Sequence, residues 1–169
     1  IAPDRSVLGA SEHAVPVKPI TGLVSRWKAL EKRIRESVGP LRIGVVGAGA
    51  AGVELTLSMH RAVMKTGTTI SQPEFHLFGA APTVLPTHSR GAQRRFTRVL
   101  NERGVYLHLG KRVSQVLTDR IELDDGSNYP LDEIVWATDA APQHWVAGSG
   151  LAVDDRGFLT VQPTLQSIS

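Results

Sequence analysis

Cysteine is absent from the 169 residues, so the chain forms no disulfide, no thiolate metal site and no redox-active cysteine pair of its own. Long apolar runs are absent too: nothing approaches the roughly 18 to 20 apolar residues that cross a bilayer. The start, Ile1-Ala-Pro-Asp-Arg5, lacks the basic-then-apolar order of a secretion signal. A soluble, cytoplasmic protein without a membrane span is the expectation. The six histidines (13, 60, 76, 88, 108 and 144) have no metal-like spacing, so no metal is expected. No serine sits in a nucleophile elbow and no carboxylate pair is set by spacing, so acid, base and nucleophilic mechanisms lack support and no catalytic residue is assigned.

What remains is a globular composition, 41% apolar and 21% charged, with a formal charge of +3. Arg90, Arg94, Arg95, Arg98 and Arg103 gather in one stretch of helical period without interleaved aromatics. That pattern is a solvated helix face rather than a nucleic-acid surface, with a place near an anionic cofactor as the rival reading.

Periodicity divides the chain. Residues 1–20, punctuated by Pro3, Gly9, Pro16 and Pro19, have no sustained period and read as an extended linker. Leu23, Trp27, Leu30, Ile34 and Val38 share one helical face, with Thr21 as the expected cap and Gly39-Pro40 as the stop. Together, 1–40 reads as linker and amphipathic helix, and 41–169 as the main domain. Strands are expected at 41–46, 74–78, 105–108 and 133–137, the last read as wholly apolar. Helices are expected at 53–65 and 89–103, and a polar loop at 67–73. The segments 113–117, 120–123 and 128–131, turning at Asp124-Asp-Gly126, form a small antiparallel layer crossing over the sheet. A second tight turn falls at Asp154-Asp-Arg-Gly157, and the ending at 165–169 has no closing element and reads as a boundary within a longer protein. The fold class is α/β, a Rossmann-like parallel sheet flanked by helices with an antiparallel β crossover layer.

Gly47-Ala48-Gly49-Ala50-Ala51-Gly52 lies between a strand and a helix, the context in which G-x-G-x-x-G signals a dinucleotide site. Gly47 permits the tight turn, Gly49 leaves the backbone open to a pyrophosphate, and Gly52 lets the helix approach the sheet. The motif does not separate NAD(P), FAD and S-adenosylmethionine. Glu54 lies near the helix N-terminus, where the dipole favours a carboxylate, or else faces the cofactor. The second strand ends at Phe78-Gly79-Ala80 without the acid that reads a ribose 2′-hydroxyl. Weak discrimination between NADH and NADPH follows, with one of Arg90, Arg94 or Arg95 available to a 2′-phosphate.

Gly47-Ala-Gly-Ala-Ala-Gly-Val-Glu54, Ala137-Thr138-Asp139-Ala140-Ala141-Pro142, and Gly157-Phe-Leu-Thr-Val161 followed by Leu165-Gln-Ser167 resemble the NAD(P)H-binding domain of the pyridine nucleotide-disulfide oxidoreductase superfamily. Val15-Pro-Val-Lys-Pro-Ile20, Arg26-Trp27, Leu85-Pro86 and 145–151 are similar to single-subunit NADH dehydrogenases, especially the flavoprotein module fused to selenide, water dikinase. The resemblance implies NAD(H) or NADP(H) on this domain and FAD on another domain of the same polypeptide, with a selenide, water dikinase-like domain as a further candidate partner. It implies that Gly47, Gly49 and Gly52 hold the pyrophosphate, that Glu54 lies toward the nicotinamide, and that Ala137, Thr138, Asp139 and Ala140 line the opposite side. Asp139 and Gly79 depart from the family's usual Gly and acid, and both departures weigh against tight NAD binding. Two other readings are a nucleotide-sensing module of the same fold and an adenosine-dependent methyltransferase, the latter opposed by the tail.

Overall fold

A computed structural model describes residues 2–66, 72–138 and 140–168. The elements run β1 (Ala2–Pro3), α1 (Ala10–His13), β2 (Val15–Pro16), α2 (Ile20–Glu36), β3 (Arg42–Val46), α3 (Ala50–Thr66), β4 (Glu74–Gly79), α4 (Arg90–Glu102), β5 (Tyr106–Leu109), β6 (Val113–Val116), β7 (Arg120–Leu123), β8 (Asn128–Pro130), β9 (Glu133–Trp136), β10 (Ala140–Ala141) and α5 (His144–Ala147). Of the loop expected at 67–73, residues 67–71 lie outside the described residues, as does Asp139.

Five strands pair in parallel in the order β2-β9-β3-β4-β5, and β6-β7-β8 form a separate antiparallel sheet. Strand alternation sends successive side chains to opposite faces. Ile43, Val45, Phe75, Leu77 and Val135 pack with Leu30 and Ile34 of α2, Val53, Met59 and Val63 of α3, and Leu100 of α4. Val46, Phe78, Ile134 and Trp136 face the other way, against Ala10, Ala14, Val116, Ile121, Leu123 and Leu131. The antiparallel layer, with α1, thus covers one face of the parallel sheet, and α2, α3 and α4 cover the other. Gly44 makes the fit possible, since a Cβ there would lie 2.4 Å from Leu131 Cδ1.

Three sequence expectations are corrected. The stretch expected as a linker over 1–20 is structured from Ala2 onward: β2 is the fifth member of the sheet, and Ala10 of α1 is fully buried. Two residues, one of them proline, pair along an edge without generating any readable period. Second, α2 begins after Pro19 without a side-chain cap, so Thr21 is inside the helix. Ser89, by contrast, caps α4 by accepting from Ala92 N at 3.3 Å. Third, β9 is not wholly apolar. The Glu133 side chain is 1% exposed and accepts from Arg26 Nε at 2.6 Å and Arg33 Nη1 at 2.7 Å. This carboxylate raises the pKa of Arg26 and ties α2 to the first residue of β9.

The arginines are 53% and 43% exposed in their side chains, so the cost of breaking this cluster is asymmetric. Removing Glu133 frees two cations that can reach water, whereas removing both arginines strands a buried carboxylate. The double variant Arg26→Ala, Arg33→Ala is expected to lose about 3 kcal/mol in denaturant unfolding. Adding Glu133→Met should recover most of it; no recovery would show that the arginines stabilise by packing alone.

Between the two sheets, His76 Nδ1 and His108 Nε2 are 3.1 Å apart, one donating and the other accepting. Both rings stack on Phe78. Burial lowers both pKa values, that of His108 to about 4 with help from the nearby His76 and Lys111 charges, while Glu74 partly opposes the shift at His76. The unfolded chain therefore binds more protons below the ordinary imidazole value of 6.5. Stability is full above that pH and is lost as pH falls toward about 4, by up to about 1.4 kcal/mol per pH unit for each imidazole that titrates. His108→Phe should flatten this slope, measured by thermal unfolding across the same window.

Candidate functional site

The site grows from the end of β3. Gly47 adopts φ +116°, and a Cβ there would lie 2.4 Å from Ala137 O. Its N–H donates to Phe78 O at 2.8 Å, joining the ends of β3 and β4. Gly52, in the first turn of α3, allows no side chain either, because its Cβ would stand 1.7 Å from Gly47 O. At Gly49 an added Cβ would meet nothing within 4 Å. The first and third glycines are thus required by protein packing, and the middle one borders open space. The N-terminal turn of α3 adds N–H groups without helical acceptors and the positive end of the helix dipole.

That open space is a cleft of about 600 Å³ across the C-terminal ends of four strands. Gly47, Ala48 and Gly49 follow β3, Gly79 ends β4, Ala137 and Thr138 follow β9, and Lys111 and Arg112 follow β5. It lies where the chain order reverses between β3 and β9, the topological switch point at which open α/β sheets bind ligands. Six of the residues singled out by sequence, Gly47, Ala48, Gly49, Gly79, Ala137 and Thr138, line it. Ala50, Ala51, Gly52 and Glu54 occupy the start of α3 and are not in its wall. Glu54 is exposed, and Asp139 lies outside the described residues.

Several wall residues were not among the site residues expected from sequence. Asp4 reaches the cleft from the N-terminal segment, and its carbonyl accepts from Trp136 Nε1 at 2.5 Å and Thr138 Oγ1 at 2.8 Å. Thr83 and Pro86 come from the loop after β4. Buried Leu85 in that loop sits at φ +53°, a costly conformation for a branched side chain, and its N–H donates to Ala48 O at 2.8 Å. The Gln93 amide holds the loop through the carbonyls of Leu85 (3.3 Å) and His88 (3.0 Å). Arg90, Arg94 and Arg95 are exposed on α4 and none lines the cleft.

Gly79 also differs from its expected part. A Cβ there would come within 2.6 Å of Ala48 Cβ and 3.1 Å of Leu109 Cδ2. The place where an acid would read a ribose is filled by the glycine loop's own alanine, so an acid introduced at 79 would displace that loop.

Residues 8–168 match the family described as pyridine nucleotide-disulphide oxidoreductase. The chain belongs to that family. The dihydrolipoyl dehydrogenase of Haloferax volcanii is 27% identical over 146 residues, 80% of this chain and 29% of that protein. Among solved structures, the NAD-dependent persulfide reductase from A. fulgidus superposes with a TM-score of 0.73 at 20% identity, over 99% of this chain and 30% of that one. The water-forming NADH oxidase from Lactobacillus brevis bound to NADH gives 0.69 at 19% identity, over 97% and 34%. This member of the pyridine nucleotide-disulphide oxidoreductase family therefore spans about a third of the length of these relatives, and shares their Rossmann-like architecture.

The different surroundings of the glycines separate by substitution. Gly49→Val should melt within a few degrees of the parent, since its side chain enters open cleft. Gly52→Ala should lose about 3 kcal/mol through overpacking against Gly47 O. Thermal and denaturant unfolding of both variants checks the contrast; equal losses would mean that position 49 is packed against protein.

Proposed function

We propose that this chain is the NAD(P)H-binding part of an FAD-dependent oxidoreductase, positioning the nicotinamide toward a flavin carried by another domain of the same polypeptide. The observation that carries the reading is the contrast within the glycine loop: Gly47 and Gly52 admit no Cβ because of backbone, while Gly49 admits one because the cleft is empty of protein there. A dinucleotide fits such a cradle, with its pyrophosphate over Gly49 and the first turn of α3. Membership of a family described as pyridine nucleotide-disulphide oxidoreductases supports it, as does the likeness to part of the Lactobacillus brevis oxidase, a protein bound to NADH.

When bound, the nicotinamide supplies a hydride for the flavin. The chain's own residues bind and orient. Gly47, Ala48 and Gly49 present backbone to the phosphates, Ala137 and Thr138 form the wall across the switch point, and the Leu85 bond to Ala48 O fixes the loop's shape. With no cysteine in the chain, electrons have no thiol to enter here, and the acceptor belongs to the rest of the enzyme. The narrower assignment, an NADH dehydrogenase-like module of the kind fused to selenide, water dikinase, rests on Val15-Pro-Val-Lys-Pro-Ile20 and Arg26-Trp27.

Calorimetry on the chain with NADH, NADPH, FAD and S-adenosylmethionine tests the reading, alongside Gly49→Val. Binding of a nicotinamide dinucleotide, lost in the folded variant, is the expected result. The isolated chain is expected to be colourless and without NADH oxidase or quinone reductase activity. Saturable FAD binding with a flavin absorption band would reassign the cleft to FAD, and S-adenosylmethionine binding would remove the oxidoreductase reading.

A further inference from the structure

The turn after β5 reaches the cleft at the point left without a carboxylate. β4 and β5 run parallel with Gly79 opposite Leu109, so the chains leaving them emerge side by side. Gly110 locks the two exits together, its N–H donating to Gly79 O at 2.9 Å and to Ala81 O at 2.9 Å. At φ +79° Gly110 turns the backbone, and Lys111 and Arg112 follow it along the wall that also holds Gly79, Ala80 and Ala81.

The two cations differ in what they are free to do. The Lys111 ammonium is paired with the Asp125 carboxylate, which also accepts from Ser127. Arg112 is exposed and its guanidinium has no hydrogen-bond or ion-pair partner among the described residues. The acidic groups nearby are Asp124 and Asp125 of the β7–β8 turn. Asp125 is already engaged, and Asp124 N donates to Arg112 O at 2.9 Å. A planar guanidinium with five donors, left unpaired on the wall of a cleft, suits a phosphate dianion better than a neutral hydroxyl.

Gly79 considered alone implies weak discrimination between the two nicotinamide dinucleotides; the β5 turn changes that expectation. We infer that Arg112 receives the 2′-phosphate of NADP(H), with Lys111 at its side, and that the chain favours NADPH over NADH. The inference rests on the dinucleotide reading of the cleft. It assigns the adenosine half of the ligand to the β4–β5 side of the site, and the nicotinamide half to the side of Thr138 and Asp4.

Titration calorimetry at fixed, low ionic strength with NADPH, NADH, 2′,5′-ADP and 5′-AMP tests it. NADPH is expected to bind about tenfold tighter than NADH, equivalent to about 1.4 kcal/mol, and 2′,5′-ADP tighter than 5′-AMP by a similar factor. Arg112→Ala should bring both ratios close to one, Arg112→Lys should keep part of the preference, and Arg94→Ala, on an exposed face outside the cleft, should change neither. Circular dichroism confirms folding of each variant. Equal affinities in the parent chain, or a preference unaltered by Arg112→Ala, overturn the role of Arg112 while leaving the dinucleotide site standing. Failure of all four ligands to bind overturns the reading of the cleft itself.

Discussion

Everything at the C-terminal edge of the sheet depends on three stretches of backbone meeting without side chains between them. The start of α3 presses onto Gly47 through Gly52, and Gly47 in turn lies against Ala137 and Thr138 after β9. Each approach is closer than any Cβ allows, so the helix enters the sheet at a fixed height and its N-terminal turn opens over the gap between β3 and β9. The cleft is the consequence: close packing below leaves a backbone-lined floor above, with Gly49 as the position where that floor meets solvent. A residue type selected for fit inside the protein thereby creates a surface suited to a phosphate.

The opposite end of β9 is held by charge instead of close approach. Glu133 begins the strand, buried, and is satisfied, among the described residues, by two arginines from α2. Its neighbour Asp132 brackets β3, accepting from Arg42 N at 2.8 Å while its own N–H donates to Arg42 O at 2.8 Å. The central strand is thus pinned by polar contacts at its N-terminal end and by bare backbone at its C-terminal end. Ion pairs at the first end tie β9 to α2 through Glu133 and to β3 through Asp132, at the end of the strand away from the cleft.

How much of this was legible in the sequence follows from how local each signal is. The strand, glycine turn and helix over 41–66 occupy consecutive residues, so their pattern states the structural unit directly. The antiparallel layer was legible for the same reason, through the Asp124-Asp-Gly126 turn and the period of its strands. Val15–Pro16 carries no such pattern, because its membership of the sheet is decided by its pairing with β9, more than a hundred residues later. The residues missed at the site behave alike. Gln93 holds the loop from the first turn of α4 through side-chain bonds that leave no periodic trace, and Arg112 reaches the cleft only because β5 lies beside β4. The arginines that did stand out, on α4, were conspicuous through their number, and number carries no information about direction. Glu133 was hidden by its company: one carboxylate beside Ile134, Val135 and Trp136 reads as part of a wholly apolar strand, because its partners Arg26 and Arg33 lie about a hundred residues earlier.

The antiparallel layer has a second consequence beyond covering a sheet face. Gly9, at φ +76°, leaves no room for a Cβ, which would stand 2.0 Å from Val116 O, and Val116 N donates to Leu8 O at 2.8 Å. The N-terminal segment is therefore laid along β6, and a few residues earlier Asp4 caps Trp136 and Thr138 with its carbonyl. β6 itself starts at Val113, directly after Arg112. One strand thus sets the positions of both walls of the cleft, the Asp4 side through Leu8 and the cationic side through its own first residue. A shift of the layer against the parallel sheet moves the two walls together, and what resists that shift is the apolar packing of Val116, Ile121, Leu123 and Leu131 against Val46, Phe78 and Trp136. The width of the cleft is in this way governed by core packing between the two sheets, in which Val46, Phe78 and Trp136 both line the cleft and hold the antiparallel layer.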